Sequence, residues 1–110
     1  MARVIPIDDL RRSPAAALYQ GADDGLDASI FITEYRRGQG PDLHVHPYPE
    51  VFVVERGTAR FTAGDEEIVV EGGNVVVVPA ETPHGFKGAG DDTLRVVSVH
   101  PSPKVRQRDL

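Results

Sequence analysis

The chain has 110 residues, no cysteine and a formal net charge of −5, and 40% of its residues are hydrophobic. This length predicts one domain, 1–110, with enough apolar residues to bury a core without disulfide bonds. The absence of cysteine excludes disulfides, thiolate zinc sites and iron–sulfur clusters. An acidic chain without a basic cluster is unsuited to nucleic acid, because that affinity depends on neutralising phosphates.

The hydropathy pattern bears on where the protein acts. The N-terminus lacks the apolar core of a signal peptide. No apolar run approaches the roughly 18 residues that a membrane helix needs. We therefore expect a cytoplasmic protein with no membrane partner.

The first twenty residues predict two short strands and a turn. Ala2–Ile7 indicates an edge strand, because Pro6 cannot donate to a central ladder, and such an edge is the natural element to pair with a partner chain. Asp8–Arg12 is polar and indicates a turn. The alanine-rich run 15–20 is short and lies between a proline and a glycine, so its context favours a strand although alanine prefers helices.

The rest of the chain alternates between β-forming runs and glycine or proline turns, which predicts an all-β sandwich or barrel. Asn74–Val78 is apolar at successive positions, as expected of a strand covered on both faces. The charged tail 104–110 is expected to fray or to dock on a partner. The predicted strands after residue 20 are Ala28–Arg36, Val51–Val54, Thr58–Thr62, Glu66–Glu71, Asn74–Val78, His84–Lys87 and Thr93–Val99.

Two histidines separated by one residue stand near the middle of the chain. On an extended strand His44 and His46 point to the same face, about 7 Å apart, and neutral imidazole is the commonest metal ligand. Glu50 follows beyond a Pro-Tyr-Pro kink, where its carboxylate could provide a third ligand. His84 also follows a proline-bounded turn, so it can face the pair across a closed barrel. The sequence thus predicts a metal site inside a β-barrel.

These residues belong to two motifs that resemble those of a small single-domain cupin. The first motif is Gly, five residues, His-x-His, three or four residues, Glu, six residues, Gly. Its positions are filled by Gly38, His44, His46, Glu50 and Gly57. The second motif is Gly, five residues, Pro-x-Gly, two residues, His, three residues, Asn. Gly73, Pro79 and His84 match it, whereas Glu81 and Gly88 replace its glycine and asparagine.

The resemblance covers roughly residues 28–100 and implies a double-stranded β-helix, or jelly roll, and a homodimer. It also implies one divalent metal held by His44, His46, Glu50 and His84. Three nitrogens and one carboxylate suit Mn, Fe, Ni, Co or Zn better than Ca or Mg. If the glycine position of the second motif requires a positive φ, Glu81 is strained there or the turn differs.

Further side chains are candidates for the pocket. His100 ends the last predicted strand and shares its face with Leu94, Val96 and Ser98, which favours an inward position; the alternative is a histidine at the barrel rim. The pocket wall or core is predicted to include three aromatic residues: Tyr48, Phe52 and Phe86.

Three classes of function remain open, because one fold hosts many activities. The first is a metal-dependent enzyme acting on a small organic molecule as a dioxygenase, isomerase, decarboxylase or cyclase. The second is a non-catalytic small-molecule sensor or binding module, and the third a structural barrel that dimerises. We favour the first. Because Glu50 is a ligand in that interpretation, a separate base is needed, and His100 is the candidate.

Overall fold

The computed structural model describes residues 1–110 and is almost entirely β-structure. Two 3₁₀ turns, Ile7–Leu10 and Gly21–Asp24, are the helical segments. No helix of the chain has the length and apolar character needed to cross a membrane. The strands are β1 Arg11–Ser13, β2 Ala16–Gln20, β3 Ser29–Tyr35, β4 His44–Val45, β5 Glu50–Arg56, β6 Thr58–Ala63, β7 Glu66–Glu71, β8 Asn74–Val78, β9 His84–Gly88, β10 Leu94–His100 and β11 Arg108–Asp109.

The strands form two antiparallel sheets. The larger has six strands in the order β1-β2-β3-β10-β5-β8, and the smaller has five in the order β11-β4-β9-β6-β7. Because neighbours in each sheet are mostly distant in sequence, the chain crosses repeatedly between the sheets, as in a jelly roll. The predicted all-β double-stranded β-helix is confirmed, and each strand predicted between residues 15 and 100 is present within two residues of its predicted bounds.

One core lies between the sheets and follows from side-chain alternation. In β5 the buried residues Glu50, Phe52 and Val54 alternate with exposed ones, and in β10 buried residues alternate with half-buried ones. The Phe52 ring from the larger sheet lies 5.1 and 5.6 Å from the rings of Phe61 and Phe86 in the smaller one, and those two rings lie 4.9 Å from each other. Each buried phenylalanine contributes about 1.5–3 kcal/mol, so these rings join the two sheets.

The last glycine of the first motif has a conformational role. Gly57 joins β5 to β6 with a φ of +85°, and a Cβ there would lie 2.7 Å from the carbonyl oxygen of Thr93. Any other residue would be strained in φ and would clash with the backbone. This glycine therefore sets the direction in which β5 leaves the site.

The N-terminal segment differs from its prediction. Ala2–Ile7 is not a strand, and the first strand, β1, instead begins at Arg11, near the end of the predicted turn 8–12. The segment is held by side chains: the Arg3 guanidinium donates to both carboxylate oxygens of Asp24 at 3.0 and 2.8 Å. The Tyr19 hydroxyl donates to the same carboxylate at 2.6 Å. The predicted edge strand is therefore wrong. Ion pairs between residues distant in sequence leave no pattern that sequence reasoning could have detected.

The outer face of β8 also differs from its prediction. Val75 and Val77 are 60% and 64% exposed, so this strand is covered on one face only. It is an edge strand whose single partner is β5, where Val53 and Val51 lie opposite these valines. The outer side of the six-stranded sheet therefore presents a group of valines, which we call the valine face: Val51, Val53, Val75 and Val77.

The charged tail neither frays nor needs a partner chain. Arg108 and Asp109 form β11, which pairs with β4 in register with Val45 and His44. The amide of Leu110 donates to Leu43 at 3.2 Å, and the amide of Val105 donates to the Gln20 side chain at 3.0 Å. The tail docks on its own barrel, and we call residues 104–110 the C-terminal strap.

Candidate metal centre

Four side chains from three neighbouring segments converge inside the barrel. His44 lies in β4 directly opposite His84 of β9, and His46 follows just past the end of β4. Glu50 begins β5 in the facing sheet. All four are buried, with at most 7% of each residue exposed. Each offers a ligand atom within 4.8 Å of the others. We call this set the His₃Glu cluster: His44, His46, Glu50 and His84.

Backbone carbonyls orient the three imidazoles of the cluster. The Nδ1 atoms of His44, His46 and His84 lie 2.7, 2.7 and 2.8 Å from the carbonyl oxygens of Asp42, Arg106 and Thr82. A carbonyl only accepts hydrogen bonds, so each Nδ1 carries a proton and donates it. Each neutral ring therefore has a free lone pair on Nε2, which is the arrangement that metal-binding histidines use.

The free lone pairs meet an acceptor. The Nε2 atoms of His46 and His84 lie 3.1 and 3.0 Å from Oε1 of Glu50. A lone pair facing a carboxylate oxygen is unfavourable unless a cation satisfies both. The Nε2 atom of His46 is fully buried and has no directed hydrogen bond. The donor set of three nitrogens and one carboxylate oxygen fits a divalent transition metal.

The electrostatics of the cluster favour a bound cation. Burial raises the pKa of the Glu50 carboxyl, but contacts with His100, His46 and His84 outweigh burial and hold this pKa far below its ordinary value. Burial lowers the pKa of His44, which keeps that ring neutral. Burial also lowers the pKa of His46, but Glu50 and the Arg106 carbonyl outweigh it and raise the pKa overall. Glu50 is thus an anion, and a proton on a neighbouring Nε2 atom or a bound metal ion would satisfy its charge.

His100 lies beside the cluster rather than at the barrel rim. It is 2% exposed, and its Nε2 atom lies 3.0 Å from Oε2 of Glu50. Its Nδ1 atom lies 2.7 Å from the Tyr48 hydroxyl, which also accepts the amide hydrogen of Arg106 at 3.2 Å. The Tyr48 hydroxyl thus fixes the His100 ring at Nδ1. The Nε2 atom of His100 faces the Glu50 carboxylate, which His46 and His84 also contact.

Two of the three aromatic residues predicted for the pocket wall line the cavity. A cavity of about 160 Å³ adjoins the cluster and His100, and Phe52 and Phe86 line it. Tyr48 does not line this cavity. The Tyr48 ring instead stacks on the imidazole of His46, with centroids 5.0 Å apart and ring planes 9° apart. Tyr48 therefore supports two histidines from outside the cavity.

Glu81 adopts the conformation of the glycine that it replaces. Its φ is +60°, and its amide donates to the His46 carbonyl at 2.9 Å. A non-glycine residue in the left-handed region costs about 1–2 kcal/mol. The turn before His84 is therefore kept at the cost of local strain, and His84 reaches the cluster.

Sequence reasoning missed parts of the site. Phe31, Thr33 and Ser98 line the cavity from β3 and β10; the alternation of β3 could have indicated the first two, had its register against β10 been known. The Arg106 carbonyl had no signal at all, because a backbone group makes the contact whatever the side chain.

Comparisons with known proteins give a family and a fold. A family model described as Cupin domain matches residues 31–100. No curated protein matches the sequence. Among solved structures, a conserved protein with a double-stranded β-helix domain from Klebsiella pneumoniae has a TM-score of 0.78 at 19% identity. The match covers 98% of this chain and 96% of that one.

Two further structural neighbours are less complete matches. A cupin-like protein from Thermotoga maritima has a TM-score of 0.75 at 16% identity, covering 86% of this chain and 75% of that chain. The oxalate decarboxylase of Bacillus subtilis, described with Mn(II) centres, has a TM-score of 0.80 at 18% identity and 90% coverage of this chain. The chain spans 29% of that enzyme's length. At these identities the likeness shows the fold.

Proposed function

Since this chain belongs to the cupin domain family, we propose that one divalent transition metal, Mn, Fe, Ni, Co or Zn, binds to the His₃Glu cluster. The observation that carries this proposal is the convergence of the His46 and His84 Nε2 atoms on the buried Glu50 carboxylate, with a ligand atom of His44 within 4.8 Å. The Nδ1 contacts with backbone carbonyls support it, because they leave those Nε2 atoms free to ligate. Manganese centres in a structural neighbour support the choice of metal class.

We further propose that the centre is catalytic and acts on a small organic molecule. The cavity brings a substrate beside Glu50 and His100, which both line it. A bound divalent ion would polarise substrate oxygens or activate oxygen, which is the chemistry of a dioxygenase, isomerase, decarboxylase or cyclase. The aromatic part of the lining would shield the reacting group from water.

His100 is the proposed proton carrier. With Glu50 committed as a ligand, the cavity offers one other imidazole that is not part of the cluster. The Tyr48 hydroxyl fixes the ring through Nδ1, so proton transfer takes place at Nε2. A positioned histidine of this kind contributes about 10²–10⁴-fold to a rate.

Turnover by the metal-loaded protein tests the catalytic proposal. We expect a small organic acid to be converted, and we expect a chelator to abolish conversion and added metal to restore it. His100→Ala should keep the metal and lose about 10²-fold or more in rate. Tight binding without conversion would instead establish the alternative, a non-catalytic binding or sensor protein.

We also propose a homodimer, which the family resemblance implies. The N-terminal edge strand expected to form the dimer contact is absent. We therefore assign the contact between protomers to the valine face. Its residues are 36–64% exposed on the outside of the six-stranded sheet. Contiguous apolar surface of this kind marks interaction sites, and two copies of one face can pair around a two-fold axis.

A further inference from the structure

The cavity beside the His₃Glu cluster has an unusual charge balance for a site that would hold a metal. Of its 11 lining residues, four are aromatic and none is lysine or arginine. Its one carboxylate is Glu50, which belongs to the cluster. The basic side chains of the strap, Lys104, Arg106 and Arg108, are exposed and do not line it. A ligand inside the cavity therefore meets no cationic side chain.

The cavity is also small. Its volume is about 160 Å³. For comparison, an engineered apolar cavity of about 150 Å³ binds benzene. The sole exposed lining residue is Gln107 of the strap, which places the opening beside that side chain. A ligand that fits entirely within this space has a body of only a few carbon atoms.

Charge and size together define a class of ligand, on the premise that the cluster binds a divalent ion. A 2+ ion and the ionised Glu50 leave one positive charge, which balances one anionic group. A second carboxylate, whether it lay among Phe31, Phe52 and Phe86 or also reached the ion, would carry a negative charge that no lysine or arginine of the cavity balances. A buried unbalanced charge is strongly unfavourable. The hydroxyls of Ser98 and Tyr35 provide neutral polar contacts instead.

We propose that this cavity selects small organic monoanions, with one carboxylate directed at the His₃Glu cluster and a short apolar body against the phenylalanine rings, and that it rejects dicarboxylates and larger aromatic acids. This inference rests on the proposed metal centre. It adds the charge and the size of the molecule that the centre accepts.

Calorimetric titration of the Co²⁺-loaded protein tests the charge selection. Metal content is measured first, so that a protein without metal contradicts the metal centre itself. The probes are 2-oxobutanoate and malonate, which have equal numbers of non-hydrogen atoms but differ in charge. We expect malonate to bind at least about 10-fold more weakly, since no positive charge remains in the cavity to balance its second carboxylate. Equal or tighter binding of malonate by the metal-loaded protein would overturn this inference alone.

A pair of variants tests the size selection. Phe31 and Ile30 are adjacent, half-buried residues of β3, and Phe31 lines the cavity whereas Ile30 does not. Phenylpyruvate should bind the wild-type protein at least about 10-fold more weakly than 2-oxobutanoate, because its ring exceeds the cavity. Phe31→Ala should remove that difference and Ile30→Ala should preserve it. Tight binding of phenylpyruvate by the wild type, or by both variants alike, would contradict the proposed size limit.

Discussion

Each histidine of the His₃Glu cluster donates its Nδ1 proton to a backbone carbonyl, so the main chain itself orients the ligands. The four side chains that meet are those of the predicted set. The spacing of His44 and His46 is a local property of an extended chain. Whether Glu50 and His84 meet them depends on sheet pairing, which the resemblance supplied and periodicity alone could not.

Acidification should release the metal. A proton on Nε2 competes directly with the ion, because protonated imidazole cannot ligate. The lowered pKa of His44 keeps its nitrogen available below the usual range, whereas the raised pKa of His46 favours protonation of that ring. We expect metal content, measured after equilibration across a pH series, to fall as pH drops through about 6.5. Metal content that stayed constant down to about pH 4 would contradict imidazole ligation.

The strain at Glu81 gives a stability prediction. Glu81→Gly should stabilise the metal-free protein by about 0.5–1 kcal/mol, since it removes the left-handed strain but adds freedom to the unfolded chain. Thermal or urea unfolding measures the change. Glu81→Ala is the matched control: it keeps the unfavourable φ and should give no gain. A loss of stability in the glycine variant would show that the Glu81 side chain contributes more than its backbone costs.

At the scale of elements, the C-terminal strap is the part that sequence reasoning misjudged most. A charged segment with three basic residues among its seven suggests a solvated tail. Its main chain instead completes the smaller sheet and hydrogen-bonds to the side chains of His46 and Tyr48. β8 was misjudged for another reason. An unbroken run of valines has no alternation, so periodicity cannot tell which face is covered.

Removing residues 105–110 should weaken metal binding without unfolding the barrel. His46 would lose the carbonyl that fixes its Nδ1 proton, and losing such an outer contact typically costs about 10–100-fold in metal affinity. A competitive chelator titration measures the change, with circular dichroism to monitor the fold. Arg106→Ala is the control, because it retains the backbone carbonyl and should retain the affinity. Equal loss in both variants would assign the effect to the side chain instead.

For the whole molecule, fold class was predictable because strands of alternating burial, separated by glycine and proline turns, recur through the chain. The exposed valine face was not predictable, since a continuous run of valines has no periodic pattern that tells which side is exposed.

Val77→Glu, at the most exposed position of the valine face, should convert the proposed dimer to a monomer. Light scattering after size-exclusion chromatography measures the mass. Leu26→Glu is the control, because Leu26 is 50% exposed but lies outside the valine face. A wild-type monomer would contradict the dimer.

Elemental analysis of the untagged protein, purified and then exposed to Mn, Fe, Co, Ni and Zn salts in turn, tests the metal centre most directly. We predict about one tightly held divalent ion per chain in the wild type. In His46→Ala the ion should be lost while circular dichroism still shows a folded β-protein. A folded wild type that retains none of these ions after desalting, or a His46→Ala variant that retains the full amount, would contradict the His₃Glu metal centre.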